Sequence, residues 1–259
     1  MSNALRIPVL MYHRLGTPDH AHDIYCISPA LFAAHMHVLA GAGYQAVSID
    51  AFHAWRNGTL SLPDGAFVLT FDDGFTGVYD FAAPVLIEMG WTATVFLVAG
   101  KLGGLSDWQV TVDEQMRAHP LMDDVQLKSL AKQGFSLHSH SLLHRDLTTL
   151  DETVLLEDLR NSREAISHMT DEVQVHLAYP YGRHSEQVRT AARNAGYISA
   201  FSVEPGFNRP AGDDFRIRRL DVLGTDSSAM LLRKIKLGSN DGSLTALLTY
   251  YARRLLRKS

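Results

Sequence analysis

The chain has one cysteine, Cys26, among 259 residues, which excludes an internal disulfide and a cysteine framework for structural zinc. No apolar run approaches the roughly 18 residues that a membrane-spanning helix needs. The formal net charge of −4 gives no broad basic field, so we expect no nucleic-acid partner. With 9 prolines and 19 glycines, the composition is also not that of a collagen or a disordered chain. What is abundant is histidine, the commonest metal ligand, with 13 residues.

The two ends of the chain bear on its location. The apolar stretch Ile7–Tyr12 is short and contains Pro8, which is typical of neither a signal peptide nor a membrane anchor. We therefore expect a cytoplasmic protein. The C-terminal end is basic and amphipathic, which favours a solvated last helical turn; peripheral contact with the inner membrane face is the alternative. Its basic residues are Arg253, Arg254, Arg257 and Lys258.

Short apolar runs alternate with amphipathic stretches of ten or more residues along the whole chain. This alternation predicts an α/β fold with a mostly parallel sheet or barrel. No linker or low-complexity tract divides the chain, so we expect a single domain over residues 1–259, with a core of about 7–222 and C-terminal helices within 223–259. Among the finer predictions, Asp50 caps a short helix and a late strand covers Phe215–Val222.

Polar residues follow four of the predicted strands. In an α/β barrel the functional residues collect at the carboxyl ends of the strands, so these positions are candidates for one site. They are His13, the pair Asp72 and Asp73, the group His138, His140 and His144, and the segment Tyr179-Pro180-Tyr181-Gly182.

The residue types at these strand ends indicate a metal site. Two adjacent carboxylates raise each other's pKa unless a positive charge lies between them. His140 and His144 are four residues apart and can reach the same ion. One aspartate and two histidines leave an open position for water, as a catalytic zinc site requires. Alternatively, the aspartates cap the next helix and the histidines are ordinary surface residues.

Three motifs carry a family resemblance: Thr70-Phe71-Asp72-Asp73-Gly74, His140-Ser141-Leu142-Leu143-His144 and Tyr179-Pro180-Tyr181-Gly182. In this order they resemble the polysaccharide deacetylases of carbohydrate esterase family 4, the NodB-homology proteins. The match extends from about Ile7 to Val222. The resemblance implies a distorted (β/α) barrel of about seven strands. It also implies hydrolysis of N-acetyl groups on the amino sugars of a glycan or sugar conjugate.

The resemblance also assigns roles. Asp73, His140 and His144 would bind the metal, which is Zn²⁺ or another divalent transition metal. Asp72 would be the general base, and Ser141 would brace the loop that carries the histidines. The segment Pro180-Tyr181 would stabilise the oxyanion through the Tyr181 N–H.

The chain departs from the family pattern at three places. Ala178 stands where the family usually has an arginine, the Asp-Trp motif that orients this arginine is absent, and no histidine follows His184. However, Leu10-Met11-Tyr12-His13 resembles the circularly permuted branch that includes poly-N-acetylglucosamine deacetylases. In that branch His13 would be the general acid; a half-buried structural histidine is the alternative. Arg219 is the candidate to replace the missing arginine, against a plain strand-edge arginine.

Two further questions stay open at this level. The hydrolase could cleave another linear or cyclic C–N amide bond, or the domain could bind N-acetyl sugars with little catalysis. Three aromatic residues could form a wall for sugar stacking or pack in the core. They are Phe75, Tyr79 and Trp108.

Overall fold

The computed structural model describes residues 6–110, 117–170 and 173–256. Its strands are β1 (Val9–Tyr12), β2 (Arg14–Leu15), β3 (Cys26–Ile27), β4 (Gln45–Ala46), β5 (Ala66–Phe71), β6 (Thr94–Leu97), β7 (Ser136–Ser139), β8 (His176–Ala178), β9 (Ser199–Phe201) and β10 (Leu220–Asp221). Its α-helices are α1 (Pro29–Gly41), α2 (Ile49–Arg56), α3 (Ala83–Glu88), α4 (Asp107–Val110), α5 (Asp124–Lys132), α6 (Glu152–Thr170), α7 (Glu186–Asn194), α8 (Ser228–Leu237) and α9 (Leu244–Leu256).

Seven parallel strands form the main sheet, in the order β10-β1-β5-β6-β7-β8-β9. β4 pairs with β5 beside this path, and β2 and β3 form a separate pair. A parallel bridge joins Phe201 of β9 to Ile217, just ahead of β10. The sheet therefore curls into a distorted barrel, as the sequence predicted. Because its strands are parallel, their carboxyl ends meet at one end of the barrel.

The central strands are apolar on both faces because both faces are covered. All six residues of β5 are buried. Val68 packs with residues of α2, whereas Leu69 packs in the larger cluster under the other helices. Leu231 and Ile235 of α8 belong to that larger cluster, so this helix shares the core of the barrel.

Two local predictions were wrong. Ser48, not Asp50, caps α2: its hydroxyl accepts a hydrogen bond of 3.1 Å from the Ala51 N–H, and Asp50 lies in the first turn. There the Asp50 carboxylate still interacts favourably with the positive N-terminal end of the helix dipole. The strand predicted over Phe215–Val222 is regular only at Leu220–Asp221. Ahead of it, the Ile217 N–H donates to Ala200 and the Arg219 N–H to Glu204, which turns this segment towards β9.

No helix in the described ranges is long and apolar enough to cross a membrane. At the C-terminal end, Arg253 and Arg254 lie in α9, and Arg257 and Lys258 lie outside the described residues. Contact of this end with a membrane surface stays a prediction.

Candidate active site

A cavity of about 470 Å³ opens at the carboxyl end of the barrel. The chain reaches it from several strands: His13 follows β1, Asp72 and Asp73 follow β5, and His140 follows β7. His144 and Tyr181 also line it. The structure therefore brings together residues that are far apart in the sequence; His13 and Tyr181, for example, are separated by 168 positions.

Asp73, His140 and His144 form a compact group whose ligand atoms all lie within 4.8 Å of one another. The Asp73 Oδ1 atom is 3.2 Å from His144 Nε2 and 3.5 Å from His140 Nε2. All three side chains are buried. Asp73 Oδ1 has no hydrogen-bond partner within the described structure, an expensive state for a buried carboxylate oxygen. A cation between the three atoms would remove this cost.

The protonation states suit a metal. His140 Nδ1 donates a hydrogen bond of 2.8 Å to the Ala178 carbonyl, which leaves the Nε2 lone pair free to face the group. Burial lowers the pKa of His140 to about 4, so its imidazole is neutral at pH 7. Burial opposes ionisation of Asp73, but the two imidazoles outweigh it and hold its pKa well below the usual range. An ionised Asp73 carboxylate and a neutral His140 imidazole are forms that bind a divalent transition metal, so these residues fit one.

Ser141 shapes the loop between the two histidines. Its hydroxyl accepts a hydrogen bond of 3.0 Å from the His144 N–H. The neighbouring Leu142 N–H donates to the buried Asp158 carboxylate at 2.9 Å. On the other side of the loop, the Ala99 N–H donates to the Ser141 carbonyl at 3.0 Å. The turn that aims His144 at Asp73 is thus held from both sides.

Backbone strain is concentrated at this site. The described non-glycine residues with positive φ are five, and four of them are Asp73, Ser141, His144 and Tyr181. A left-handed conformation is costly for residues with a Cβ and persists where the surrounding structure imposes it. The strained backbone at these four residues lowers the stability of the fold, and such strain is typical of a functional site.

Asp72 is bound by Arg219, which directly precedes β10. The guanidinium donates from Nη1 to Oδ1 at 2.6 Å and from Nη2 to Oδ2 at 2.8 Å, and its Nε donates to the Ser202 carbonyl at 2.9 Å. Burial opposes ionisation of Asp72, but Arg219 outweighs it and keeps the pKa of Asp72 below its usual value. The structure thus places an arginine against Asp72 even though position 178 is alanine.

Three further predicted residues, His13, Trp108 and Tyr181, line the same cavity. The ring of His13 lies 4.8 Å from the ring of Tyr25, and His13 Nδ1 has no described hydrogen-bond partner. Tyr181 is 41% exposed at the rim, next to the buried Pro180. Trp108 stacks on His144 with ring centroids 4.7 Å apart.

The other two aromatic candidates for a sugar wall do not line this cavity. Phe75 is buried in a small apolar cluster, and Tyr79 packs against the main core. His138, two residues before His140, is also absent from the cavity lining and packs against His176 and Phe96.

Among the cavity residues that sequence reasoning missed are Asp221 and Tyr25. Asp221 ends β10, where it pairs in register with Met11 of β1. Tyr25 belongs to the loop between β2 and β3. A search for polar residues after every predicted strand could have found Asp221 if the late strand had been placed correctly. No local pattern marks Tyr25.

The comparisons with known proteins agree with this geometry. The family model described as polysaccharide deacetylase matches residues 60–200. The chain is 27% identical over 201 residues to YxkH of Bacillus subtilis, covering 78% of this chain and 66% of YxkH. It is 22% identical over 219 residues to a poly-β-1,6-N-acetyl-D-glucosamine N-deacetylase of Staphylococcus aureus, covering 81% and 72% of the two chains.

Solved structures show the same fold. The deacetylase PplD of Streptococcus pyogenes superposes with a TM-score of 0.75 at 23% identity, over 90% of this chain and 99% of PplD. IcaB of Ammonifex degensii superposes with a TM-score of 0.71 at 24% identity, over 84% of this chain and 91% of IcaB. Since the family model covers more than half of its length, this chain belongs to the polysaccharide deacetylase family.

Proposed function

We propose that this protein is a metal-dependent hydrolase that removes N-acetyl groups from an amino-sugar glycan or sugar conjugate. The observation that carries the proposal is the arrangement of Asp72 beside the group Asp73, His140 and His144 in one cavity. The Asp72 carboxylate is not part of this three-residue group, and its Oδ2 atom lies 3.9 Å from His140 Nε2.

Asp73, His140 and His144 would hold the metal. Two imidazoles and one carboxylate suit Zn²⁺ with an open position, and other divalent transition metals prefer similar ligands. When bound, such an ion acts as a Lewis acid and lowers the pKa of water from 15.7 towards about 7.

Asp72 would accept the proton of the attacking water. A general base must be ionised at the working pH, and the pKa of Asp72 is lowered mainly because Arg219 outweighs its burial. Arg219 also limits rotation of the carboxylate, since both oxygens accept from the same planar group.

His13 and Tyr181 would complete the reaction on the other side of the acetamide. The Tyr181 N–H would stabilise the developing oxyanion, a contact worth about 2.7–4 kcal/mol for a single donor. His13 in its protonated form would give its proton to the departing amine as the C–N bond breaks. Acetate and a free amino sugar are then the products.

The substrate class rests on the relatives. The name of the similar S. aureus protein specifies β-1,6-linked N-acetylglucosamine as its substrate. The open cavity with aromatic side chains at its rim suits a sugar ring of this type. We therefore propose an N-acetylhexosamine unit of a glycan or sugar conjugate as the substrate.

Acetate release by zinc-loaded protein tests the proposal. The panel contains N-acetylglucosamine oligomers with β-1,6 and β-1,4 linkages, nucleotide sugars and lipid-linked sugars, with Asp72→Asn as the control. Release that disappears in the variant supports the deacetylase. Zinc binding without release from any member would contradict it, and a panel of linear and cyclic amides would then follow.

A further inference from the structure

We propose that Tyr25 and Asp221 form a binding subsite for a hexosamine ring next to the unit that carries the scissile N-acetyl group. This inference rests on the proposed function and specifies how the substrate is held. Both residues line the cavity and lie outside the range 60–200 that the family model matches.

Tyr25 presents an aromatic ring at the rim of the cavity. The side chain is 46% exposed, and its ring packs at 4.8 Å from the ring of His13 with an angle of 57° between the planes. A large aromatic ring that remains half exposed beside a site is available for a ligand. Sugar rings present C–H groups on one face, which pack on aromatic rings.

The backbone around Tyr25 is held firmly. The Gly224 N–H donates to the Ile24 carbonyl at 2.7 Å. A Cβ at Gly224 would lie 2.2 Å from the Cys26 carbonyl oxygen, so only glycine permits this close approach. Buried Arg14 forms an ion pair with Asp23 in the same loop. The loop that carries Tyr25 is therefore preorganised, so binding of a ligand does not have to offset the entropy lost in ordering this loop.

Gly224 also connects this loop to Asp221. The chain leaves β10 at Asp221 and reaches Gly224 three residues later, where it contacts the loop of Tyr25. Both residues line the cavity. Burial raises the pKa of Tyr25, and the charge of Asp221 raises it further. The aromatic ring and the carboxylate thus lie on one side of the cavity.

Asp221 is an oriented acceptor. Its Oδ2 accepts a hydrogen bond of 2.7 Å from Asn240 Nδ2, and its own N–H donates to Asn240 Oδ1 at 2.9 Å. Within the described ranges, the carboxylate forms no ion pair, which leaves Oδ1 for a ligand. Burial raises the pKa of Asp221, although His13, Arg219 and Lys234 oppose this. A hydroxyl group that donates to Oδ1 would stabilise the ionised form.

Together these residues match the two surfaces of a sugar. Tyr25 would pack on the apolar face of the ring while Asp221 accepts a hydrogen bond from a ring hydroxyl. Tyr25 is thus a positioning residue for the neighbouring sugar, and Asn240 positions Asp221. The subsite makes the enzyme prefer oligomers over a single N-acetylhexosamine.

The test compares Tyr25→Ala, Tyr25→Phe and Asp221→Asn with the unchanged enzyme, all zinc-loaded. For each, kcat/KM is measured on β-1,6-linked N-acetylglucosamine oligomers of one to five units and on an aryl acetate that contains no sugar. Phe81→Ala is the matched control, because Phe81 is 42% exposed and lies outside this cavity.

We expect Tyr25→Ala to lower the ratio of oligomer to aryl acetate kcat/KM by about tenfold. Tyr25→Phe and Phe81→Ala should keep the ratio, and Asp221→Asn should lower it. An unchanged ratio in Tyr25→Ala and Asp221→Asn would overturn the subsite while leaving the deacetylase standing. If the unchanged enzyme releases no acetate, calorimetric binding of the pentamer to the zinc-loaded proteins decides: equal affinity for the unchanged protein and Tyr25→Ala overturns the subsite.

Discussion

Arg219 and Asp72, separated by 147 residues in the chain, form a buried bidentate ion pair with contacts of 2.6 and 2.8 Å. The guanidinium is fully buried. Desolvating two charges is expensive, and the pair offsets this only through its two parallel hydrogen bonds. Removing one partner therefore leaves an uncompensated charge in the barrel.

Replacing Arg219 tests this relationship. We expect Arg219→Gln to destabilise the fold by about 3–5 kcal/mol, because the buried Asp72 carboxylate loses its counter-charge. The pKa of Asp72 should rise, so the acidic limb of the pH profile of kcat/KM should move to higher pH. Urea unfolding and the pH profile measure the two effects. The double variant Arg219→Gln with Asp72→Asn should recover part of the lost stability; if it is no more stable than the single variant, the pair is not the cause.

The variant Asp72→Asn tests the role of Asp72 as the general base independently of metal binding. The change keeps the size of the side chain but removes its basicity, so kcat should fall by about 10²–10⁴-fold. Zinc affinity should stay close to that of the unchanged protein, because the ligand group Asp73, His140 and His144 is intact. Acetate release and zinc titration are measured on the same preparation. Near-normal turnover would show that another residue is the base.

His140 and His138 lie two residues apart on one strand end, yet only His140 faces the cavity. We expect His140→Ala to weaken zinc binding by more than about 100-fold. Loss of a residue that only hydrogen-bonds to a metal ligand costs about 10–100-fold, and loss of the ligand itself should cost more. The matched variant His138→Asn should leave zinc affinity unchanged. Competition with a chromogenic chelator measures both. Equal losses in the two variants would contradict the ligand assignment.

His176 should make the fold sensitive to acid. It is buried against His138 and His53, and burial lowers its pKa well below the usual histidine value of about 6.5. As the pH falls through about 6.5, His176 therefore takes up a proton in the unfolded chain but stays neutral in the folded protein. The stabilisation is fully present above this pH and is lost as the pH falls, with a slope of up to about 1.4 kcal/mol per pH unit.

The variant His176→Asn removes this titration. The free energy of unfolding, measured in urea with a chelator between pH 7.5 and 5, should fall less steeply for the variant than for the unchanged protein. The Asn side chain can keep a hydrogen bond with Ser199, the present partner of His176 Nδ1. Parallel slopes would mean that His176 does not titrate on unfolding.

Much of the site could be predicted from local sequence, because strand ends are local features. The apolar run Ala66–Phe71 forms β5, and Asp72 and Asp73, which the sequence predicts to follow a strand, come directly after it. The motif spacing also indicated that His140 and His144 could reach one ion. The roles of these residues, and of His13, Tyr181 and Ser141, stay predictions for the experiments above.

The sequence by itself determined the alternation of strands and helices, hence a mostly parallel sheet or barrel, and which polar side chains follow the strands. Only the tertiary structure decided which distant residues meet. Closure of the barrel sets β10 beside β1 and thereby brings Arg219 to Asp72 and Asp221 to the cavity. The contact of Gly224 with Ile24 likewise holds Tyr25 at the rim. The physical reason is that pairing across the barrel depends on the register and packing of whole strands, which no local pattern of residues records.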